Sequence, residues 1–227
     1  MKISELKLEN EVKLSERDAF IIVDIQNDFI PGGSLPVEKG DEIINGVNEL
    51  ALKFKNKGGI VVLTQDWHPE GHASFASAHP GMNPFDEYST EGIGPVLWPD
   101  HCIQGQKGAD FHPDLNTNLA NAIIRKGTNP KIDSYSGFIE NDGKTKTGLD
   151  GYLNSLNIKR IFLAGLALDY CVYFTAMDGV KLGFEVYFVI DLTRGIDSPE
   201  GNISRTLDDM TKNGVKFIES KTILNKD

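Results

Sequence analysis

The sequence predicts an α/β protein: a three-layer, doubly wound fold with a mainly parallel sheet of about six strands and helices on both faces. Three observations carry this. Short, near-continuous apolar runs recur along the chain, as in parallel strands covered on both sides. Helix-period patterns lie between them. The composition, 40% hydrophobic and 25% charged over 227 residues, suits a soluble globular protein able to bury a core without disulfides or a structural metal. No internal repeat, low-complexity tract or linker divides the chain, so residues 1–227 are expected to form one domain.

The strands are expected at 19–25 (AFIIVDI), 59–66 (GIVVLTQD), 122–127 (AIIRKG), 160–168 (RIFLAGLAL) and 184–191 (FEVYFVID), with a weaker sixth at 215–220 (VKFIES). After the first, Ile43, Ile44, Val47, Leu50, Ala51 and Phe54 form one helical stripe, with Asp41 as its cap and Gly58 closing its end. Leu149, Leu153 and Leu156 mark a second helix. A third is expected over 171–182. A fourth opens with Ser198 as cap and Pro199 at its first position, and ends at Gly214. Two connections stand apart. Residues 67 to about 112 are long and rich in Pro, Gly and His, and 128–146 form a second long polar loop. Long loops in a compact domain are usually functional.

Charge and cysteine content exclude several classes. A formal net charge of −10, with no basic stretch, argues against nucleic acid. No apolar run approaches the roughly 20 residues of a membrane span, and the charged N-terminus lacks a secretory h-region. Two cysteines, Cys102 and Cys171, are no disulfide framework and point to a reducing cytoplasm.

Chemistry gathers at the strand ends. The first strand ends on Asp24, the second on Asp66, the third on Lys126, and the fourth runs into Cys171. Ligands of open parallel sheets bind outside the carboxyl ends of the strands. Alone, Asp24 reads equally well as a turn acid, whereas Lys126 reads better as a surface lysine and Cys171 better as a small core hydrophobe. Together they place an acid, a cation and a thiol in one crevice. A lysine and a helix N-terminus beside Cys171 are expected to lower its pKa, in the strand–turn–helix arrangement of a nucleophile elbow. Asp66 and His68 are two apart, and His101 returns from the far end of the long loop. Two imidazoles and a carboxylate suit Zn, Fe or Mn with coordination positions left open. His79 and His112 read as surface residues, and Cys102 as a buried structural thiol.

The pieces VDIQNDF, GGSLPV, TQDWHPEGHASF, LWPDHCIQG, KG at 126–127, DSYSGF, GLALDYCV and DLTRGI resemble the nicotinamidase/pyrazinamidase type of the isochorismatase-like cysteine hydrolase superfamily, from about residue 20 to 196. The resemblance implies a triad of Asp24, Lys126 and Cys171, with oxyanion-hole N–H groups from Ala167 and Cys171. It implies a cis peptide between Leu166 and Ala167. It implies a divalent ion on Asp66, His68 and His101, zinc first, with iron(II) or manganese(II) as alternatives. Phe29, Trp98 and Tyr135 match the positions lining the ring pocket. Leu168 stands where the family often has Thr, and His72 where some members recruit a fourth ligand. The implied activity is hydrolysis of nicotinamide, and of pyrazinamide, to the acid and ammonia through a thioester, in NAD salvage. A homo-oligomer is left open. The rivals are a metal-free amidase of the same fold (N-carbamoyl amide or ureidoacrylate type), a vinyl-ether hydrolase, which lacks the cysteine, and a metal-binding or thiol redox protein, disfavoured because no resolving cysteine is present.

Overall fold

A computed structural model describes residues 2–225. Six strands, β1 (Asp18–Val23), β2 (Ile60–Asp66), β3 (Ala122–Lys126), β4 (Arg160–Leu166), β5 (Glu185–Arg194) and β6 (Lys216–Ile218), form one sheet in the order β3-β2-β1-β4-β5-β6. Every neighbouring pair is parallel. The expected sheet is therefore present, with the weak sixth strand included.

Five helices accompany it: α1 (Ile44–Asn56), α2 (Leu149–Ser155), α3 (Tyr173–Lys181), α4 (Asn202–Lys212) and α5 (Ser220–Leu224). Right-handed crossovers put α1 on one face and α2, α3 and α4 on the other, because the strand order reverses direction between β1 and β4. α1 packs beside α5, and α3 beside α4. The α1 stripe is buried as its spacing requires, and Phe54 stacks on Phe20 and meets Phe162 edge-on, at centroid distances of 5.2 and 5.1 Å. Among the described residues no helix is long and apolar enough to cross a membrane.

Several boundaries differ from expectation. Asp41 does not cap α1; it lies in a 3₁₀ turn, Asp41–Ile43, that leads into the helix without a side-chain cap. Leu156 falls beyond the end of α2 and is 43% exposed. α4 begins at Asn202, three residues after Pro199, because Ser198 and Pro199 belong to the preceding loop, and Gly201 turns the chain at φ +85°. β3 is the sheet's edge rather than a strand covered on both faces, so Ile123 is left 49% exposed. The third expected helix starts at Tyr173. Ahead of it, Leu168–Val172 form one wide π-helical turn, with the N–H of Val172 donating to the carbonyl of Ala167 at 3.1 Å. The long connection holds a small apolar cluster of its own (Ala76, Ile93 and Leu97), while Trp98, Cys102 and Ala109 join the main core.

Candidate active site and metal centre

The switch in strand direction opens a crevice at the carboxyl ends of β1 and β4, and the candidate residues meet there. Asp24 follows β1 at φ +49°, a sharp reversal closed by the Gln26 N–H on the Asp24 carbonyl at 2.9 Å. Its carboxylate is fully buried, 2.8 Å from Lys126 Nζ, and accepts the Thr64 hydroxyl at 2.6 Å. Lys126 Nζ donates also to Asp66 Oδ1, to the Ser134 carbonyl at 2.8 Å and to Cys171 Sγ at 3.4 Å. Cys171 lies inside the π turn and is 6% exposed. The peptide between Leu166 and Ala167 is cis, as expected.

Burial disfavours a charge on any of these groups, and the balance of neighbours decides each. Burial favours the neutral amine at Lys126, but Asp24 and Asp66 outweigh it and hold the ammonium well above the usual lysine range. Burial raises Asp24, with Lys126 opposing it. The thiol of Cys171 corrects the expectation of an acidified cysteine. Burial pushes it well above the usual range; Lys126 pulls it down, but Asp24 and Asp66 push it up again. A lysine whose charge is already shared by two carboxylates cannot by itself produce a thiolate.

Asp66, His68 and His101 offer ligand atoms within 4.8 Å of one another, and all three are buried. His68 Nδ1 donates to the Gly127 carbonyl at 3.0 Å and His101 Nδ1 to the Pro99 carbonyl at 2.8 Å, so both Nε2 lone pairs face the carboxylate. Such backing fixes tautomer and ring orientation in metal sites. His68 Nε2 is buried without a hydrogen-bond partner, and a divalent ion would satisfy it. The donor set fits the expected ion. Burial holds His101 down at about 4, so its imidazole is neutral as a ligand must be. For His68 burial works the same way, but the Asp66 carboxylate outweighs it and raises the pKa. Asp66 is pressed upward by burial, yet Lys126 and the imidazoles hold it well below the usual carboxylate range. Asp66 thus faces Lys126 with one oxygen and the imidazoles with the other.

Sequence reading missed Asp133. It lies 3.9 Å from His68 Nε2, and its Oδ2 is buried without a partner, so it is available as a further ligand. His72 also nears this group, but both its nitrogens are engaged: Nδ1 by Ser74 at 2.8 Å, Nε2 by the Asn129 carbonyl at 2.8 Å. It buttresses the loop leading to Asp133. Gly127 matters here too. Its φ is +65°, and a Cβ would sit 2.4 Å from His68 Cε1. Cys102 is buried, with a thiol pushed up by burial, and stays out of the ligand set. His79 and His112 are half-buried rather than on the open surface, and neither reaches the site.

Phe29, Trp98 and Tyr135 all line the cavity over Cys171, together with Leu35, Tyr170 and Ile196. Trp98 Nε1 donates to the Tyr135 hydroxyl at 3.0 Å, which donates to the Gly94 carbonyl at 2.9 Å. Leu168 is buried among apolar neighbours.

An acid, a lysine and a cysteine thus meet at the carboxyl ends of β1, β3 and β4 of a parallel sheet, and the chain belongs to the isochorismatase domain family, which matches residues 18–222. Its relatives are more particular. It is 44% identical to the nicotinamidase of Acinetobacter baylyi, over 96% of this chain and 99% of that protein. A nicotinamidase/pyrazinamidase structure from Acinetobacter baumannii superposes with a TM-score of 0.88 at 46% identity, covering 92% of this chain and 99% of the other. The pyrazinamidase of Pyrococcus horikoshii, in complex with zinc, superposes at 0.74 with 40% identity, covering 89% and 99%.

Proposed function

We propose that the protein hydrolyses nicotinamide to nicotinate and ammonia, and pyrazinamide likewise, as a single-domain cytoplasmic enzyme of NAD salvage. The observation that carries this is the Asp66 carboxylate. It joins a thiol–lysine–acid group on one side to a pair of imidazoles on the other. Asp66, His68 and His101, with Asp133, would hold the divalent ion, zinc first. When bound, the ion supplies a Lewis-acid anchor for the ring nitrogen of a pyridine carboxamide.

The chain's own residues perform the chemistry. Phe29, Trp98 and Tyr135 enclose the ring and exclude water. Asp24 accepts the thiol proton as Cys171 Sγ attacks the carboxamide carbon, which suits a thiol that rests protonated beside a carboxylate of raised pKa. Lys126 keeps Asp24 oriented and screens the developing sulfur charge. N–H groups of Ala167 and Cys171 receive the carbonyl oxygen as it becomes anionic. The C–N bond then breaks, Asp24 returns its proton to the departing ammonia, and a thioester remains. Asp24 takes a proton from the water that adds next; the C–S bond breaks, Asp24 returns that proton to the departing Cys171 sulfur, and the product acid leaves as nicotinate with its own proton released to solvent.

The test is ammonia release from nicotinamide by zinc-loaded protein. Wild type is expected to turn over. Cys171→Ala is expected to lose activity while keeping its metal, since the thiol is not in the ligand set. Substantial turnover by that variant would remove Cys171 as nucleophile. A wild-type protein that releases no ammonia would overturn the whole reading.

A further inference from the structure

Asp169 and Tyr170 stand immediately before the thiol, yet neither spends its polar atoms on it. Asp169 is 1% exposed. Its Oδ1 accepts the Ile196 N–H at 2.9 Å, and its Oδ2 accepts the Asp197 N–H and Asn202 Nδ2, each at 3.0 Å. The Tyr170 hydroxyl donates to the Ser198 carbonyl at 2.5 Å. Both residues thus reach sideways to the segment that continues β5. Gly195 in that segment has no room for a side chain: a Cβ would lie 2.7 Å from Ile203 Cδ1 and 2.9 Å from Asp169 Oδ1. At the far end Asp197, at φ +55°, accepts the Ile203 N–H at 2.9 Å. Residues 195–198 are therefore held in one position from both sides.

What this segment presents to the cavity is Ile196. The other walls are already committed. Cys171 and Ala167 flank the reacting carbon, Asp66 and His101 face the anchor, Trp98, Tyr135 and Tyr170 are pinned by hydrogen bonds and mutual edge contacts, and Phe29 packs against the His101 ring. Leu35 is buried in the core. Among the described residues lining the cavity, Ile196 alone is half-exposed, which places it at the mouth. A substituent on the bound ring would project there.

We propose that residues 195–198, latched to the Cys171 turn by Asp169 and Tyr170, form the wall that decides which ring-substituted carboxamides are admitted, with Ile196 the discriminating side chain. Asp169 and Tyr170 act through this wall as positioning residues. The acid and tyrosine beside the thiol thus set selectivity, and the thiol sets reactivity.

The experiment compares kcat/KM for nicotinamide with that for nicotinamides carrying one methyl group at each ring carbon in turn. In apolar pockets one methyl group is worth about 10–200-fold. Wild type is expected to reject at least one methylated ring, and Ile196→Ala to relax that ratio by about tenfold or more. A ratio unchanged at every ring position would overturn the role of Ile196. Asp169→Asn keeps the side chain's size but turns an amino group toward a backbone N–H. It is expected to relax the same ratio and to raise KM more than it lowers kcat. A loss of kcat with the ratio unchanged would assign Asp169 to the thiol turn alone and overturn the latch. If Asp169→Asn does not fold, Tyr170→Phe removes only the bond to Ser198 and is read the same way. The inference rests on the amidase reading. An inactive wild type fails that reading, whereas an active wild type with unaltered ratios fails only the wall.

Discussion

Thr64 shows what one hydroxyl does in a buried charge cluster. It sits in the middle of β2, fully buried, and donates to Asp24 at 2.6 Å. A donor to a carboxylate favours the ionised form. Asp24 already titrates above its ordinary range because burial outweighs Lys126, and the proposed mechanism needs it ionised to accept the thiol proton. Thr64→Val keeps the shape and removes the donor, so the Asp24 pKa rises further. The acid limb of the kcat/KM profile is expected to move to higher pH; an unmoved limb would show that Thr64 is only packing. In sequence, Thr64 looks like ordinary strand composition, since β-branched residues favour strands whatever their hydroxyl does. Asp133 was illegible for another reason. It is one acid among several in a polar loop, and only burial beside His68 distinguishes it. Asp24, Asp66 and Lys126 were legible because a charge at the end of an apolar strand must find a partner. The acidity of Cys171 is misjudged from sequence because burial, first, and then the sum over three charged neighbours decide it, and spacing reveals only that the neighbours are near.

Among the elements, β1, β2, β4 and α1 follow from the apolar pattern, and their side chains are buried where that pattern places them, with the edge strand β3 the exception. Phe54 measures how much α1 depends on this. It is fully buried between Phe20 and Phe162. Phe54→Ala is expected to cost about 3–5 kcal/mol, read as a lower midpoint in denaturant at constant slope; a change under about 1 kcal/mol would mean that the site collapses to fill the gap. The element boundaries that sequence misplaced lie where local signals meet function. Ser198–Pro199 carries a good helix-start signature, but the residues are used in the wall beside the Cys171 turn, and the helix waits until Asn202. The π turn at Leu168–Val172 has no signature of its own. It adds one residue to a turn, and nothing in a five-residue pattern distinguishes i→i+5 from i→i+4 bonding.

For the whole molecule, the ion and the sheet are expected to separate. The core comes from the six strands and the helices on their faces, while His68 and His101 lie on the long connection. Chelation, or His101→Ala, is expected to remove activity and leave cooperative unfolding within a few degrees of the loaded wild type. Unfolding of the whole domain on chelation would make the ion structural instead. The ring nitrogen separates the two roles again. Benzamide carries the carboxamide without that nitrogen, so it is expected to be a far poorer substrate than nicotinamide, with a gap that narrows in metal-depleted enzyme. Equal rates on the two amides with the ion bound would remove its orienting role.

The strand order has a further consequence, for synthesis. The chain leaves the ribosome with β1, β2 and β3 first, so Asp24, Asp66 and Lys126 are all made before any of β4. Until then the carboxyl end of β1 lacks its second neighbour, and three buried charges have no cover on that side. Such a nascent intermediate carries an unpaired edge along β1, the kind of surface that recruits wrong partners. Cys171 appears only after β4, and the wall at 195–198 only after β5. The Cys171 sulfur is therefore made after Asp24 and Lys126, the two charges it packs against, and residues 195–198 complete the cavity last.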